Sequence, residues 1–232
     1  MIFVTGDKHR NFKNVERFCK KFGTQPDRDT MIVLGDAGIN FCGGEADEEY
    51  KRYLTKLPIT LFCIHGNHEI RPHRISTYDD NYEFHGGRAY FDQRYPNQVF
   101  AIDGQTYNFD GRKCLVIGGA YSVDKALRVE NVNWWADEQP DDYVKAYVED
   151  RLQSRHWQQD VILSHTCPYK YIPYEMFIPG LDQSAVDQST ERWLDSIEDR
   201  CCYNKWYCGH YHTDKSVDRL RFMFNDIVEM GD

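Results

Sequence analysis

The sequence predicts an α/β fold in which two mixed β-sheets stack face to face with helices outside. Three observations predict it. Short apolar runs alternate with amphipathic stretches over residues 1–64 in the order strand, helix, strand, helix, strand, which calls for a mainly parallel layer. Residues 88–120 carry closely spaced β-like runs, as a second and more antiparallel sheet would. Two further apolar runs, at 161–163 and 205–208, lie either side of another helical pattern.

Residues 1–5 read as a strand that ends at Gly6-Asp7. Asn11 is a good N-cap for a helix in which Phe12, Val15, Cys19 and Phe22 recur at helical spacing, and Gly23 closes it. Residues 30–34 form the second strand, ending in Gly35-Asp36. Residues 45–57 are helical, with Tyr50, Tyr53, Leu54 and Leu57 on one face and Pro58 as the stop. The run 59–64 is a buried strand that delivers Gly66-Asn67-His68-Glu69. Residues 70–80 are polar and contain Pro72, which reads as an exposed loop.

Within 88–120, Asp110-Gly111 marks a hairpin turn. Residues 122–139 are irregular and rich in charge and Trp, a candidate cap or lid; 140–155 form a helix with Pro140 near its start. The strand 161–163 leads to Ser164-His165, and the stretch Tyr169 to Gly180 is an aromatic, Pro-rich loop. Residues 190–201 are helical with Trp193, Leu194 and Ile197 inward. The strand 205–208 ends in Gly209-His210-Tyr211-His212, and a last β segment, 220–228, extends the second sheet. The chain is expected to be one domain over 1–232, with a small cap at 122–139.

Composition narrows the chemistry. A net charge of −9 gives little of the general attraction that binders of long nucleic acids rely on, so such a partner is not expected. A small phosphorylated substrate remains compatible, because bound cations reverse the local potential of an acidic site. No signal peptide precedes the first strand, and no run reaches the roughly 20 apolar residues that span a bilayer. The expected setting is cytoplasmic, with no membrane partner. The eight Cys include no CxxC pair and read as small buried residues or free thiols rather than a zinc knot.

Five strand ends carry ligand-type residues: Asp7 with His9, Asp36, Asn67 with His68, His165, and His210 with His212. In open α/β sheets sites form beyond the carboxyl ends of strands, so parallel neighbours bring these groups together. Leaving His68 aside, they offer four imidazoles, two carboxylates and one amide. That mixture suits Mn²⁺, Fe or Zn²⁺ better than Ca²⁺, which prefers oxygen shells. Seven ligands are too many for one catalytic ion with an open position and fit two ions sharing a carboxylate.

The ordered set DxH, GD, GNHE, H and GHxH, spanning Asp7 to His212, resembles the calcineurin-like metallophosphoesterase superfamily. The resemblance implies a four-layer α/β/β/α sandwich and a dinuclear centre, Mn²⁺ first among the ions. It places one ion with Asp7, His9, Asp36 and His212, and the other with Asp36, Asn67, His165 and His210. It implies phosphoester hydrolysis by a metal-bridging hydroxide, with His68 as general acid or phosphate contact. Gly6, Gly35, Gly66 and Gly209 match the family glycines, expected to let the backbone turn sharply after each strand.

The Ser/Thr protein phosphatase branch of that superfamily clamps phosphate with two arginines, and both are missing here. Asn40 and Phe41 stand where one is expected, and His65 stands before GNHE. The chain looks more like a bacterial or phage-type branch. Candidate replacements are Arg71, first because it lies three residues past His68, and then Asn40, Arg74, Lys125 and Arg128. Asn67 is also a candidate substrate contact. Trp134-Trp135 and the Tyr169 to Phe177 loop are expected mainly to pack the cap, with stacking on a substrate ring as the alternative. The expected activity is hydrolysis of a phosphomonoester on a phosphoprotein or small molecule. The alternatives are phosphodiester cleavage at the same centre and, more remotely, a non-enzymatic scaffold.

Overall fold

The computed structural model describes residues 1–177 and 184–231. Strands β1 (Ile2–Thr5), β2 (Thr30–Val33) and β3 (Thr60–Cys63) are four-residue runs buried on both faces, as strands of a covered parallel sheet are. They pair in parallel with their ends level, Thr5 beside Val33 and Val33 beside Cys63. Alternation sorts their side chains. Phe3, Met31, Val33, Leu61 and Cys63 pack outward with residues of α1 (Lys13–Phe22) and α2 (Glu45–Leu54). Val4, Ile32, Leu34, Phe62 and Ile64 face the space between the sheets.

Three more strands, β4 (Asp79–Phe84), β5 (Gly87–Phe91) and β6 (Gln98–Ala101), extend this first sheet beyond β3. The second sheet repeats the plan, with four parallel strands in the middle: β8 (Arg112–Ile117), β9 (Val161–Ser164), β10 (Lys205–Cys208) and β12 (Leu220–Phe222). Antiparallel β7 (Thr106–Phe109) and β11 (Lys215–Val217) close its edges. Tyr107 and Phe109 meet Phe62 edge-on across the gap, with ring centroids 4.7 and 5.2 Å apart. Helices α3 (Asp142–Ser154) and α4 (Ser189–Glu198) cover the far face through Val148, Leu152, Leu194 and Ile197. The result is four layers, α/β/β/α.

Several expectations are corrected. β5 and β6 belong to the first sheet, so the second is as parallel as the first. The last β segment splits: β12 joins the second sheet, whereas β13 (Val228–Glu229) pairs with β1 at the edge of the first. Residues 70–80 are not simply an exposed loop; Ile70, Arg71 and Pro72 are buried, Pro72–Arg74 forms a 3-10 turn, and β4 begins at Asp79. Asn11 is not the N-cap of α1. The chain turns at residues 8–11, with the Asn11 amide donating to the Lys8 carbonyl, and the helix waits until Phe12. Helices α2 and α4 stop short at Leu54 and Glu198. Residues 178–180 of the aromatic loop lie outside the described residues. Among the described residues no helix is long and apolar enough to cross a membrane.

Candidate metal centre

Level strand ends in both sheets set the stage. The Lys8 and His9 amides donate to the Asp36 carbonyl at 3.0 and 2.8 Å, tying the loops after β1 and β2 together. The His68 amide donates to Asp36 Oδ1 at 2.9 Å, adding the loop after β3. From the second sheet, the His210 amide donates to Asp7 Oδ1 at 2.8 Å and His165 Nδ1 donates to the Leu34 carbonyl at 2.7 Å. Each carboxylate thus has one oxygen fixed by a backbone amide and the other turned to the centre.

These loops approach so closely that side chains must be absent. A Cβ on Gly66 would lie 1.9 Å from Asp36 Oδ1, and one on Gly209 would lie 2.3 Å from Asp7 Oδ1. Sharp turning is therefore not what these two glycines supply. The left-handed conformations fall on site residues themselves: His9, Asp36, His210 and His212 have φ of 42°, 46°, 68° and 49°. Non-glycine residues held there cost of order 1–3 kcal/mol each and gather at functional sites.

Among the described residues, five of the seven expected ligand residues, Asp7, His9, Asp36, His165 and His212, have convergent ligand atoms, and Asn67 and His210 lie beside His165. His9 Nε2 and His212 Nε2 stand 2.9 Å apart, and His212 Nε2 is 3.2 Å from Asp7 Oδ2. Asp36 Oδ2 lies 4.0 Å from His9 Nε2 on one side and 3.8 Å from His165 Nε2 on the other, between the two ligand sets. Two groups have mutually convergent ligand atoms, Asp7 with His9 and His212, and Asp7 with Asp36 and His165, so Asp7 also links the sets. The His210 ring sits 5.1 Å from that of His165, centre to centre.

The donor set fits cations. Asp7 and Asp36 are almost fully buried, and Asp7 Oδ2 receives no well-directed hydrogen bond. Because the Leu34 carbonyl can only accept, the His165 proton sits on Nδ1, and in the neutral ring Nε2 presents a lone pair. That nitrogen faces the Asn67 carbonyl oxygen at 2.8 Å, while Asn67 Nδ2 donates to Ser122 Oγ at 2.9 Å. With His165 as a metal ligand, its Nε2 lone pair and the Asn67 carbonyl oxygen would turn to one cation. Burial lowers the pKa of His210 to about 3, keeping that ring neutral, as a ligand must be. Burial pushes the Asp7 carboxyl up, but the His212 hydrogen bond and the neighbouring imidazoles outweigh it and hold it below the ordinary range. His212 is raised, chiefly by its bond to Asp7.

The expected substrate contacts divide. Arg71 turns away from the cluster: its guanidinium holds Asp103 at 2.6 Å and the Asp137 carbonyl at 2.7 Å. Asn40 is buried and accepts from the Tyr78 hydroxyl, supporting the loop from behind. Arg74 pairs with Asp137, and Lys125 lies over Trp134. Arg128 is the cation that reaches the site, its Nη2 3.5 Å from His68 Nε2, anchored by Asp124 and the Asn133 carbonyl. His68 Nε2 is also 3.9 Å from Asp36 Oδ2, and its Nδ1 is buried without a partner. Burial lowers the His68 pKa; Asp36 opposes this and Arg128 adds to it. Glu69 is structural. It accepts from the Gly38 and Ile39 amides, and burial pushes its pKa to about 8. Ser122, within the stretch Gly118 to Lys125, aims the Asn67 amide, and nothing in the sequence marks it for that role. Tyr211 walls the centre, stacking on Phe177.

With this geometry in place, comparison with known families is decisive. A family model described as calcineurin-like phosphoesterase matches residues 1–227. The chain belongs to this family. No curated protein matches it. Membership in the calcineurin-like phosphoesterases implies a metal-dependent hydrolase of phosphoesters, and the two convergent groups, Asp7 with His9 and His212 and Asp7 with Asp36 and His165, are candidate places for its metal.

Proposed function

We propose that the protein is a dinuclear phosphoester hydrolase acting on phosphomonoesters, borne by a phosphoprotein or a small molecule. The observation that carries this reading is the pair His68 and Arg128, set 3.5 Å apart beside the ligand cluster. Asp7, His9, Asp36 and His212 would hold one ion, and Asp36, Asn67, His165 and His210 the other. Imidazoles mixed with carboxylates suit Mn²⁺, Fe or Zn²⁺, of which Mn²⁺ is the ion proposed. Bound there, such ions lower the pKa of water and stabilise charge on phosphoryl oxygens.

The chain's own residues supply the rest. Ser122 keeps the Asn67 carbonyl oxygen turned inward, and the Leu34 carbonyl keeps the His165 proton off the inner nitrogen. Arg128 offers guanidinium N–H groups to the phosphoryl oxygens, with Asp124 holding it in place. A monoester dianion gains more from that cation than a diester monoanion does. Burial lowers the His68 pKa and so favours its neutral form in the free protein. An arriving phosphate raises its proton affinity, and the imidazolium then gives its proton to the leaving alkoxide. Eight unpaired thiols support a reducing, cytoplasmic setting.

A second reading, phosphodiester cleavage, rests on a cavity of about 390 Å³ that borders Asp7 and His9 and carries Lys13 and Arg17. It gives room for a second ester arm. The test compares a phosphomonoester with a bis-ester reporter in the presence of Mn²⁺. Faster turnover of the monoester supports the proposal; activity on the bis-ester alone overturns it in favour of the diester reading.

A further inference from the structure

Away from the cluster lies a cavity of about 550 Å³, lined by the 72–74 turn, β5, the end of β6 and the start of α3; no expected metal ligand lines it. Two largely buried side chains on its wall have a polar atom left over. His65, 7% exposed, has no partner for Nε2. Arg71, 9% exposed, has none for Nη2, although its Nε and Nη1 are engaged. A buried polar nitrogen without a partner costs about 1–3 kcal/mol, and native interiors rarely tolerate one. Two on one wall point to an occupant.

Its chemistry follows from the donors. A guanidinium can only donate, so the occupant must bring acceptors, and charged acceptors bond most strongly. Arg88 on β5 adds a second guanidinium and forms no salt bridge among the described residues. The carboxylates of the wall do not cancel these charges freely. Asp103 is held by Arg71 and the Gly118 amide, Asp141 caps α3 through the Val144 amide, and Asp137 is paired with Arg74. Of the buried carboxylate oxygens on this wall, Asp137 Oδ1 is left without a donor among the described residues. Tyr90 and Tyr147 give the cavity flat apolar sides, and its volume lies in the small-molecule range of about 300–1,000 Å³.

We propose that this cavity binds a small planar molecule bearing an oxyanion, a carboxylate or a phosphate-like group. Its oxygens accept from Arg71, His65 and Arg88, its ring lies against Tyr90 and Tyr147, and a ring N–H or O–H reaches Asp137.

The test titrates the full chain, loaded with Zn²⁺, with benzoate and separately with phenylphosphonate. The His65 ring and the Arg71 Nε–H are followed by NMR. Saturable shifts at both residues are expected from at least one probe, weakened tenfold or more in Arg88→Ala. The tighter probe names the acid, carboxylate or phosphate-like. If neither probe moves His65 and Arg71 to saturation, or if Arg88→Ala binds as the wild type does, the proposal is overturned.

Discussion

In the proposed function His68 and Arg128 divide the work beside the metal ligands, and each makes a separable prediction. His68→Ala should retain the metal content of the wild type, because its ring is offered to substrate. Its turnover should fall by about 10²-fold or more on alkyl phosphates, the scale of general acid catalysis. The loss should be much smaller on nitrophenyl phosphate, whose leaving group needs no proton. Metal analysis beside kinetics on both substrates decides it, and lost metal would reassign His68 as a ligand. Arg128→Ala should lower kcat/KM by about 10- to 100-fold, corresponding to the roughly 1.5–3 kcal/mol of a hydrogen bond to a charged group. Arg128→Lys should recover part of that loss, and unchanged kinetics in Arg128→Ala would remove it from the site. Sequence distance misleads for this pair. Arg71 lies three residues from His68 yet is drawn into a buried pair with Asp103, whereas Arg128, on the segment after β8, reaches the ring.

At the scale of elements, what decides legibility is burial. Strands β1, β2, β3, β9 and β10 are buried on both faces, so each leaves an unbroken apolar run, and the ligand residue after it stands out. β4 is an edge strand, mostly exposed, so Asp79–Phe84 carries no such run, and β13 is two residues long. Neither has a signal to read. Ser122 is equally silent, since aiming an amide needs only a hydroxyl in the right place. Helix α4 adds a pH-dependent element. Glu191 is buried behind the site with Oε1 accepting from Thr166 and Oε2 unpaired, and burial raises its pKa. Its folded-state pKa thus exceeds the unfolded one, so the folded chain is favoured while the group is protonated. That stability is lost as pH rises from the ordinary carboxyl range through the raised value. Glu191→Gln keeps the acceptor for Thr166 and removes the charge. Urea unfolding should show the variant gaining over the wild type at pH 8 and the gap narrowing toward pH 5. An equal gap at both would mean that Glu191 is not destabilising when ionised.

For the whole molecule, two sheets bring their parallel strand ends to one edge, and neither sheet holds a complete centre. Asp7, His9, Asp36 and Asn67 come from the first, and His165, His210 and His212 from the second. The links across the gap are the His210 amide to Asp7 and the His165 imidazole to the Leu34 carbonyl. The core between the sheets, with Phe62 against Tyr107 and Phe109, fixes their spacing and so the spacing of the ligands. The central claim is that these loops form one dinuclear centre. The most direct measurement is an anomalous difference map from crystals grown with Mn²⁺. Two peaks that share Asp36 are expected, one beside Asp7, His9 and His212 and the other beside Asn67, His165 and His210. A single peak, or metal bound away from these residues, would contradict it.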